Sequence, residues 1–194
     1  AAIEQRPDRR SQPIGRVLEV LGEHLAPGME IEVAIRSHNL PNEWPPEVSA
    51  ALPTIPSQLC ATDIEGRRDL RALPLVTIDG ADARDFDDAV YAHATPKGFV
   101  LYVAIADVAH YVRPGTALDR EALHRGTSVY FPDRVIPMLP EPLSNGICSL
   151  MPDVDRLAMV CEMSISSTGE VRRARFYDAV IRSHARLIYT DVQA

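Results

Sequence analysis

The sequence predicts an α+β fold rich in strands, with one domain of ordinary size and an appendage in front of it. Most apolar residues fall in short runs bounded by turn residues, which is typical of strands. One segment carries a complete set of helix signals. The length of 194 residues, with 46% hydrophobic and 24% charged residues, fits a globular protein and excludes a disordered or collagen-like chain.

The first third of the chain predicts an incomplete β-unit and a linker. Two apolar runs, at residues 17–21 and 31–35, are predicted as strands, the second because apolar and other residues alternate along it. Two strands do not form a stable unit alone, so we expect the end of a β-domain or an extra hairpin. Five prolines within residues 38–58 disfavour long regular structure, apart from a short helix at residues 47–52, and predict an ordered linker.

From residue 71 onward, the pattern predicts a sheet with one helix. Thr116 is a suitable N-terminal cap for that helix and Gly126 a suitable end. A short turn at residues 96–98 joins two of the strands. The predicted strands lie, in chain order, at residues 75–78, 89–92, 99–106, 128–131, 157–165 and 171–181.

The negative charge is concentrated in one short loop. The net charge is −7, and residues 78–91 hold five Asp with a single Arg. Carboxylates packed so closely repel one another unless a cation lies among them. A solvated acidic loop is the alternative, but Phe86 and the apolar flanks of the loop anchor it to a core, which favours a metal site.

The residue types around this loop select the metal. Asp79, Asp85, Asp87 and Asp88 offer hard oxygen ligands with no nearby His or Cys, which favours Mg²⁺, with Mn²⁺ as a substitute, over zinc. The loop lacks the central Gly and closing Glu of an EF-hand. Carboxylate-bound Mg²⁺ usually serves phosphate chemistry with one or two ions. A nucleotide enzyme on another scaffold is disfavoured, because the sequence has no glycine-rich phosphate loop of the Walker type.

Several stretches, in order along the chain, resemble the ribonuclease II / ribonuclease R (RNB) family of bacterial 3′→5′ exoribonucleases. The aspartates follow the Asp-x₅-Asp-x-Asp-Asp spacing of the catalytic loop in that family. Two stretches, DARDFDDAV and RGTSVYFP, are closer to the ribonuclease R branch than to the ribonuclease II branch. The other similar stretches are VAIADV (103–108), VIPMLP (135–140), LSNGICSL (143–150) and SHARLIYT (183–190).

The resemblance implies a domain organisation. Residues 1–36 are similar to the end of a cold-shock (OB-type) domain and residues 71–194 to the first part of an RNB catalytic domain, with the Pro-rich linker, residues 37–70, between them. The remainder of that domain would lie outside this chain, so we expect a fragment of a larger protein that cuts RNA feebly or not at all alone.

The resemblance also implies roles for individual residues. Asp79, Asp85, Asp87 and Asp88 correspond to the four catalytic aspartates that hold Mg²⁺ and orient the attacking water, whereas Asp82 has no such role. Tyr130 corresponds to a tyrosine that stacks near the 3′-terminal nucleotide, and Tyr189 to one that contacts the RNA sugar. Each tyrosine could instead be an ordinary ring packed in the core.

Four residues near these stretches have less specific interpretations. Arg84 and Arg125 could contact phosphates, although Arg84 could equally offset the neighbouring aspartates. Asp107 could brace the site or act as a turn or cap residue. His110 has no ligand-like spacing and is interpreted as a structural histidine.

The expected function is Mg²⁺-dependent hydrolysis of RNA from a single-stranded 3′ end, releasing nucleoside 5′-monophosphates without an organic cofactor. A non-catalytic RNA-binding module is the alternative. No apolar run approaches the roughly 20 residues of a membrane helix and no secretory signal is recognisable, so we expect no membrane partner and a cytoplasmic location. The three scattered cysteines fit reduced, buried thiols.

Overall fold

The computed structural model describes residues 2–5, 12–22 and 27–193. The helices are α1 (Met29–Ser37), α2 (Pro46–Ala51), α3 (Ala61–Ile64), α4 (Val108–Tyr111), α5 (Ala117–Arg125) and α6 (Tyr189–Val192), with a 3₁₀ turn at Leu52–Thr54 and a π-helical turn at Pro142–Ile147. The strands are β1 (Ala2–Gln5), β2 (Ile14–Arg16), β3 (Arg68–Asp69), β4 (Val76–Asp79), β5 (Asp88–Thr95), β6 (Gly98–Ala106), β7 (Val129–Tyr130), β8 (Val135–Ile136), β9 (Asp155–Ser166), β10 (Val171–Arg182) and β11 (Ala185–Ile188).

The chain divides into two units. The first comprises Ala1–Glu43 with Tyr130–Ile136, and the second comprises Trp44–Val129 with Pro137–Ala194. In the first unit β1 pairs antiparallel with β2, and β7 pairs with β8. No helix within the described ranges is long and apolar enough to cross a membrane.

The strands predicted at residues 17–21 and 31–35 are wrong. Residues 17–22 have no regular structure, and residues 31–35 lie inside helix α1. Ile31 and Ile35 are the buried residues of α1, and their spacing of four places both on one helix face while also satisfying an alternating pattern. Acidic residues in the first turn and Arg36 in the last turn favour the helix through its dipole.

A seven-stranded sheet organises the second unit within the described residues. The strand order is β11-β4-β5-β6-β9-β10-β3. The pairs β11–β4 and β10–β3 are parallel, and the four pairs between them are antiparallel. The strands predicted from residue 75 to residue 106 and from residue 157 to residue 181 are confirmed, as is helix α5, which Thr116 caps through a bond from the Asp119 amide.

One face of this sheet carries the core. Ala104, Val160 and Ala179 lie on that face and pack with Leu143 and Leu150 from the segment before β9. Residues 44–70, predicted as a linker, are mostly folded in this unit: Val48 in α2 is 1% exposed and belongs to the same core.

Much of the opposite face of the sheet is apolar and open to solvent, although Leu157 and Val180 on that face are buried. Ile105 in β6 lies directly across from Met159 in β9, and Phe176 in β10 lies across from Cys161, two residues further along β9. Residues opposite each other and residues two apart share a face, so these side chains and Phe99 form one surface, here named the open face. Phe176 is 71% exposed, and Phe99, Ile105 and Met159 are each about half exposed.

The three cysteines are free, but they differ in exposure. Cys148 is buried, Cys161 is partly buried and Cys60 is exposed. Burial raises the pKa of the Cys148 thiol to about 12. The expectation of a buried thiol is therefore wrong for Cys60, which lies at the start of α3 and contacts Asp63 as part of a helix cap.

Candidate active site

The carboxylate loop, residues 79–88, connects two neighbouring strands of the sheet. Asp79 is the last residue of β4 and lies opposite Ile188 in the parallel strand β11. Asp88 is the first residue of β5 and lies opposite Ile105 in β6. Strand pairing therefore fixes both ends of the loop, and Asp85 and Asp87 lie in the irregular segment between them.

Backbone contacts and one buried ring hold that segment against the sheet. Phe86 is 4% exposed and belongs to the core. The Ala106 amide donates to the Asp87 carbonyl at 2.9 Å. On the other limb of the loop, Arg186 of β11 donates to the carbonyls of Gly80 and Ala81, and its guanidinium lies 5.1 Å from the centre of the Phe86 ring.

The carboxylates are close enough to perturb one another. Burial raises the pKa of Asp79 above its ordinary value, the charges of Asp88 and Asp85 raise it further, and the nearby Arg186 opposes the rise. Oδ2 of Asp79 is buried without a hydrogen-bond partner. The structure thus brings a partly buried carboxylate and its acidic neighbours to one end of the sheet.

Asp87 shows the same effect from within the loop. Its side chain reaches solvent, yet the surrounding protein removes enough water to raise its pKa, and Asp85, Asp88 and Asp79 raise it further. The neighbouring carboxylates therefore make Asp79 and Asp87 harder to ionise. A cation placed among these groups would reverse that effect.

The residues present fit a divalent ion in ligand chemistry but do not form a closed cage. All four carboxylates are oxygen donors, and Asp79 Oδ2 has no protein partner. Across the described ranges, no group of three or more His, Cys, Asp or Glu side chains is arranged to hold a metal ion. Mg²⁺ commonly takes one or two protein carboxylates and completes its shell with waters and substrate phosphates.

Both predicted RNA-contacting tyrosines lie on the surface. Tyr130 belongs to the first unit, in β7, and is 65% exposed. Tyr189 begins α6 in the second unit, directly after Ile188, the residue opposite Asp79, and it is 62% exposed. Such exposure excludes a core-packed ring for either tyrosine.

One other candidate, Arg125, proves to be structural. Arg125 is buried: it donates to Glu121 at 2.8 Å and to the Pro137 carbonyl at 3.0 Å, and its guanidinium lies 3.5 Å from the centre of the Trp44 ring. A phosphate-binding role for Arg125 is therefore wrong. Arg84 is exposed.

Asp107 and His110 belong to one structural network. Asp107 caps α4 by accepting a bond from the His110 amide and pairs with Arg67 at 2.6 Å, which confirms the cap interpretation. The His110 ring contacts Asp63 at 3.1 Å. Both residues thus stabilise the end of β6 rather than bind a ligand.

Sequence reasoning missed two residues that contact the loop, Arg186 and Ser149. Ser149 Oγ accepts a bond from the Phe86 amide. The only signal for either residue is its position inside LSNGICSL or SHARLIYT, two of the stretches that carry the family resemblance. Neither residue type indicates a contact with a loop so distant in the sequence.

The comparison with protein families decides the assignment. The model of the RNB domain matches residues 67–194, about two thirds of the chain, and that of the cold shock domain matches residues 1–45. The chain belongs to the RNB family. The carboxylate loop and the seven-stranded sheet both lie within the part matched by the RNB domain.

Individual relatives of the RNB family extend this similarity over nearly the whole chain. Ribonuclease R of Vibrio cholerae is 59% identical over 191 residues, covering 98% of this chain and 23% of the relative. Ribonuclease R of Acidithiobacillus ferrooxidans is 59% identical over 192 residues, covering 99% of this chain and 44% of the relative. This chain therefore spans less than half the length of these relatives.

A solved structure shows that the fold is shared as well. RNase R of Mycoplasma genitalium in complex with double-stranded RNA superposes with a TM-score of 0.92 at 36% sequence identity, covering 98% of this chain and 34% of that protein. The α+β architecture expected from the sequence, an RNB domain preceded by part of a cold shock domain, is confirmed.

Proposed function

We propose that this chain supplies the metal-binding loop of a Mg²⁺-dependent 3′→5′ exoribonuclease that releases nucleoside 5′-monophosphates. The observation that carries the proposal is the carboxylate loop, in which Asp79, Asp85, Asp87 and Asp88 repel one another at one end of the sheet. A cluster that is electrostatically unfavourable without a cation is expected at a site that binds one. Membership of the RNB family supports the reaction type.

The four carboxylates would hold the metal and the attacking water. When bound, Mg²⁺ would activate that water and stabilise the charge that develops on the phosphate. Asp87 and Asp88 reach solvent, so their oxygens are available to accept hydrogen bonds from a water and orient it. Asp79, more enclosed and tied to β4, would provide a fixed ligand. Mn²⁺ would substitute, since the donors are all hard oxygens.

Exposed tyrosines would hold the RNA. An aromatic face binds any base by stacking, and contact with the 2′-hydroxyl distinguishes RNA from DNA. Tyr189 follows the strand that flanks Asp79, which suits a sugar contact beside the scissile phosphate. We assign Tyr130 to stacking on a base near a single-stranded 3′ end. The RNA complex of the Mycoplasma relative supports RNA as the ligand.

Free thiols suit a reducing compartment. The three cysteines form no disulfide, and cytosolic proteins keep their thiols reduced. We propose that the whole protein acts in the cytoplasm.

The decisive experiment compares two aspartates of the same loop. In the longer protein that contains this chain, Asp87→Asn should leave RNA affinity nearly unchanged, because affinity depends mainly on phosphate contacts along the RNA. Hydrolysis should fall by several orders of magnitude, because positioning of metal and water acts in the transition state. The measurements are a gel-shift titration and single-turnover cleavage of end-labelled RNA, with Mg²⁺ and with EDTA.

The matched control is Asp82→Asn, which removes one charge from the same loop at an exposed position. It should cleave at nearly the rate of the unaltered protein. Equal losses of cleavage in both variants would show that loop charge alone matters and would refute the role of Asp87. If the longer protein retards RNA in the gel but does not cut it in Mg²⁺, the protein is a non-catalytic RNA-binding module instead.

A further inference from the structure

The carboxylate loop requires support from outside itself. Between Asp79 and Asp88 the backbone forms neither helix nor strand. Its own turn contributes one bond, from the Ala83 amide to the Gly80 carbonyl at 3.1 Å. A segment without regular structure keeps a fixed geometry only if other parts of the protein bind its backbone groups.

Ser149 provides that support at the centre of the loop. Its hydroxyl accepts a hydrogen bond from the Phe86 amide at 3.0 Å and donates one to the Arg84 carbonyl at 3.0 Å. These two groups flank Asp85 on either side. Ser149 is 0% exposed, so water cannot replace its hydroxyl. The next amide, that of Leu150, donates to the Phe86 carbonyl at 2.8 Å.

A buried arginine holds Ser149 in turn. Arg156 of β9 donates from Nε to the Ser149 carbonyl at 2.8 Å and from Nη2 to the Gly146 carbonyl at 3.1 Å. Arg156 is buried, and it also donates to the carbonyl of Asp155. The support for the loop therefore continues from Ser149 into the central sheet.

We propose that Ser149 is a positioning residue that holds Asp85 and Asp87 in the geometry needed to bind the metal. Among side chains of this size, a hydroxyl both accepts and donates strongly at one atom, whereas a thiol does both only weakly. Its loss would leave the buried Phe86 amide and the Arg84 carbonyl, on the two sides of Asp85, without this partner. The inference rests on the proposed function of the loop, and it assigns Ser149 no contact with substrate or metal.

The test uses the 194-residue chain labelled with ¹⁵N. In Ser149→Ala, hydrogen exchange of the Phe86 amide should accelerate about tenfold or more, since one buried hydrogen bond corresponds to roughly one order of magnitude. Mg²⁺ affinity, from a titration followed by amide chemical shifts, should weaken by roughly 10-fold or more. Ser149→Cys, with a weaker donor and acceptor, should lie between Ser149→Ala and the unaltered chain in both measurements.

A second serine separates positioning from general stability. Ser166 is also 0% exposed, accepts a bond from the Glu170 amide at 3.0 Å and contacts the Thr168 hydroxyl at 2.9 Å. It lies opposite Gly98, at the end of β6 remote from the loop. Ser166→Ala should lose similar thermal stability but keep both the Phe86 exchange rate and the Mg²⁺ affinity.

Asp87→Asn makes the two possible failures distinguishable. If Asp87→Asn weakens Mg²⁺ binding while Ser149→Ala behaves like Ser166→Ala, the positioning role of Ser149 is refuted and the metal site remains. If Asp87→Asn leaves the affinity unchanged, the metal is not bound at this loop, and both the proposed function and the role of Ser149 are refuted.

Discussion

At the scale of single residues, the charges of the carboxylate loop make stability depend on pH. Asp79 and Asp87 have pKa values raised above the ordinary 3.8, so the folded chain binds protons more tightly than the unfolded chain. Their contribution to the free energy of unfolding therefore decreases as pH rises from about 4 through the folded pKa values. Asp69 acts oppositely: hydrogen bonds from Arg71 lower its pKa to about 2, so its contribution is lost as pH falls below about 4.

This difference predicts the behaviour of Asp87→Asn without metal. Between about pH 4 and pH 7, the variant should lose less stability with rising pH than the unaltered chain does, and at neutral pH it should be the more stable of the two. Urea unfolding in EDTA at several pH values measures this. If stability depends on pH in the same way in Asp87→Asn and in the unaltered chain, the Asp87 carboxylate experiences no net repulsion.

Substitution of Tyr130 tests whether its ring binds RNA or packs in the core. Because its side chain is 65% exposed, Tyr130→Ala should change the free energy of unfolding by no more than about 0.5 kcal/mol. If the ring stacks on a base, the same change should weaken RNA binding by the longer protein by about 1–3 kcal/mol, and Tyr130→Phe should be mild. Melting and RNA titration give the two quantities. A stability loss of about 3–5 kcal/mol would instead identify a packed ring.

At the scale of elements, the carboxylate loop packs into the core through the ring of Phe86. Phe86→Ala should cost about 3–5 kcal/mol of stability, because the ring is buried among core residues. Phe176→Ala removes the same ring from the open face and should change stability by no more than about 0.5 kcal/mol. Urea denaturation of the two variants makes the comparison. Similar losses would show that Phe176 is packed or that Phe86 is not.

At the scale of the whole molecule, the open face should govern how copies of the chain interact. Contiguous apolar surface on a monomer promotes association, so the 194-residue chain should bind a hydrophobic dye and self-associate as its concentration rises. Phe176→Ser should reduce both effects. Leu123→Ser, at an 83% exposed leucine of α5, is the matched control and should reduce neither. Self-association is measured by sedimentation velocity and dye binding by fluorescence. Equal behaviour of Phe176→Ser and Leu123→Ser in both measurements would contradict the expectation.

The sequence predicted the strands around the loop well because their signals are local. The strand predicted at residues 75–78 forms as β4 (Val76–Asp79) and ends directly before Gly80, and the predicted turn at residues 96–98 joins β5 to β6. The failure at Ile31 and Ile35 has a physical cause: a spacing of four suits a helix face and a strand face equally. Which one forms depends on packing that the pattern alone does not contain.

The sequence predicted which aspartates form the candidate site but not which residues hold their loop in place. Clustered aspartates indicate a cation from sequence alone, since their mutual repulsion follows from spacing. Ser149 and Arg186 contact the loop through hydrogen bonds to backbone groups, and a backbone acceptor leaves no signal in the sequence. Arg125 was misjudged for a related reason, because its burial against Trp44 and Glu121 depends on the tertiary fold.

The pairing of β4 with β11 determines when the site can form during synthesis. Arg186 and the Gly80 carbonyl that it binds are 106 residues apart in the chain. At typical translation rates, roughly 5 to 20 s separate the synthesis of the two. During that interval the nascent chain carries its full set of loop aspartates, while the strand that flanks Asp79 and the arginine that offsets its charge do not yet exist. The ribosome-bound chain should therefore complete the contacts that flank and hold the carboxylate loop only after β11 has left the exit tunnel.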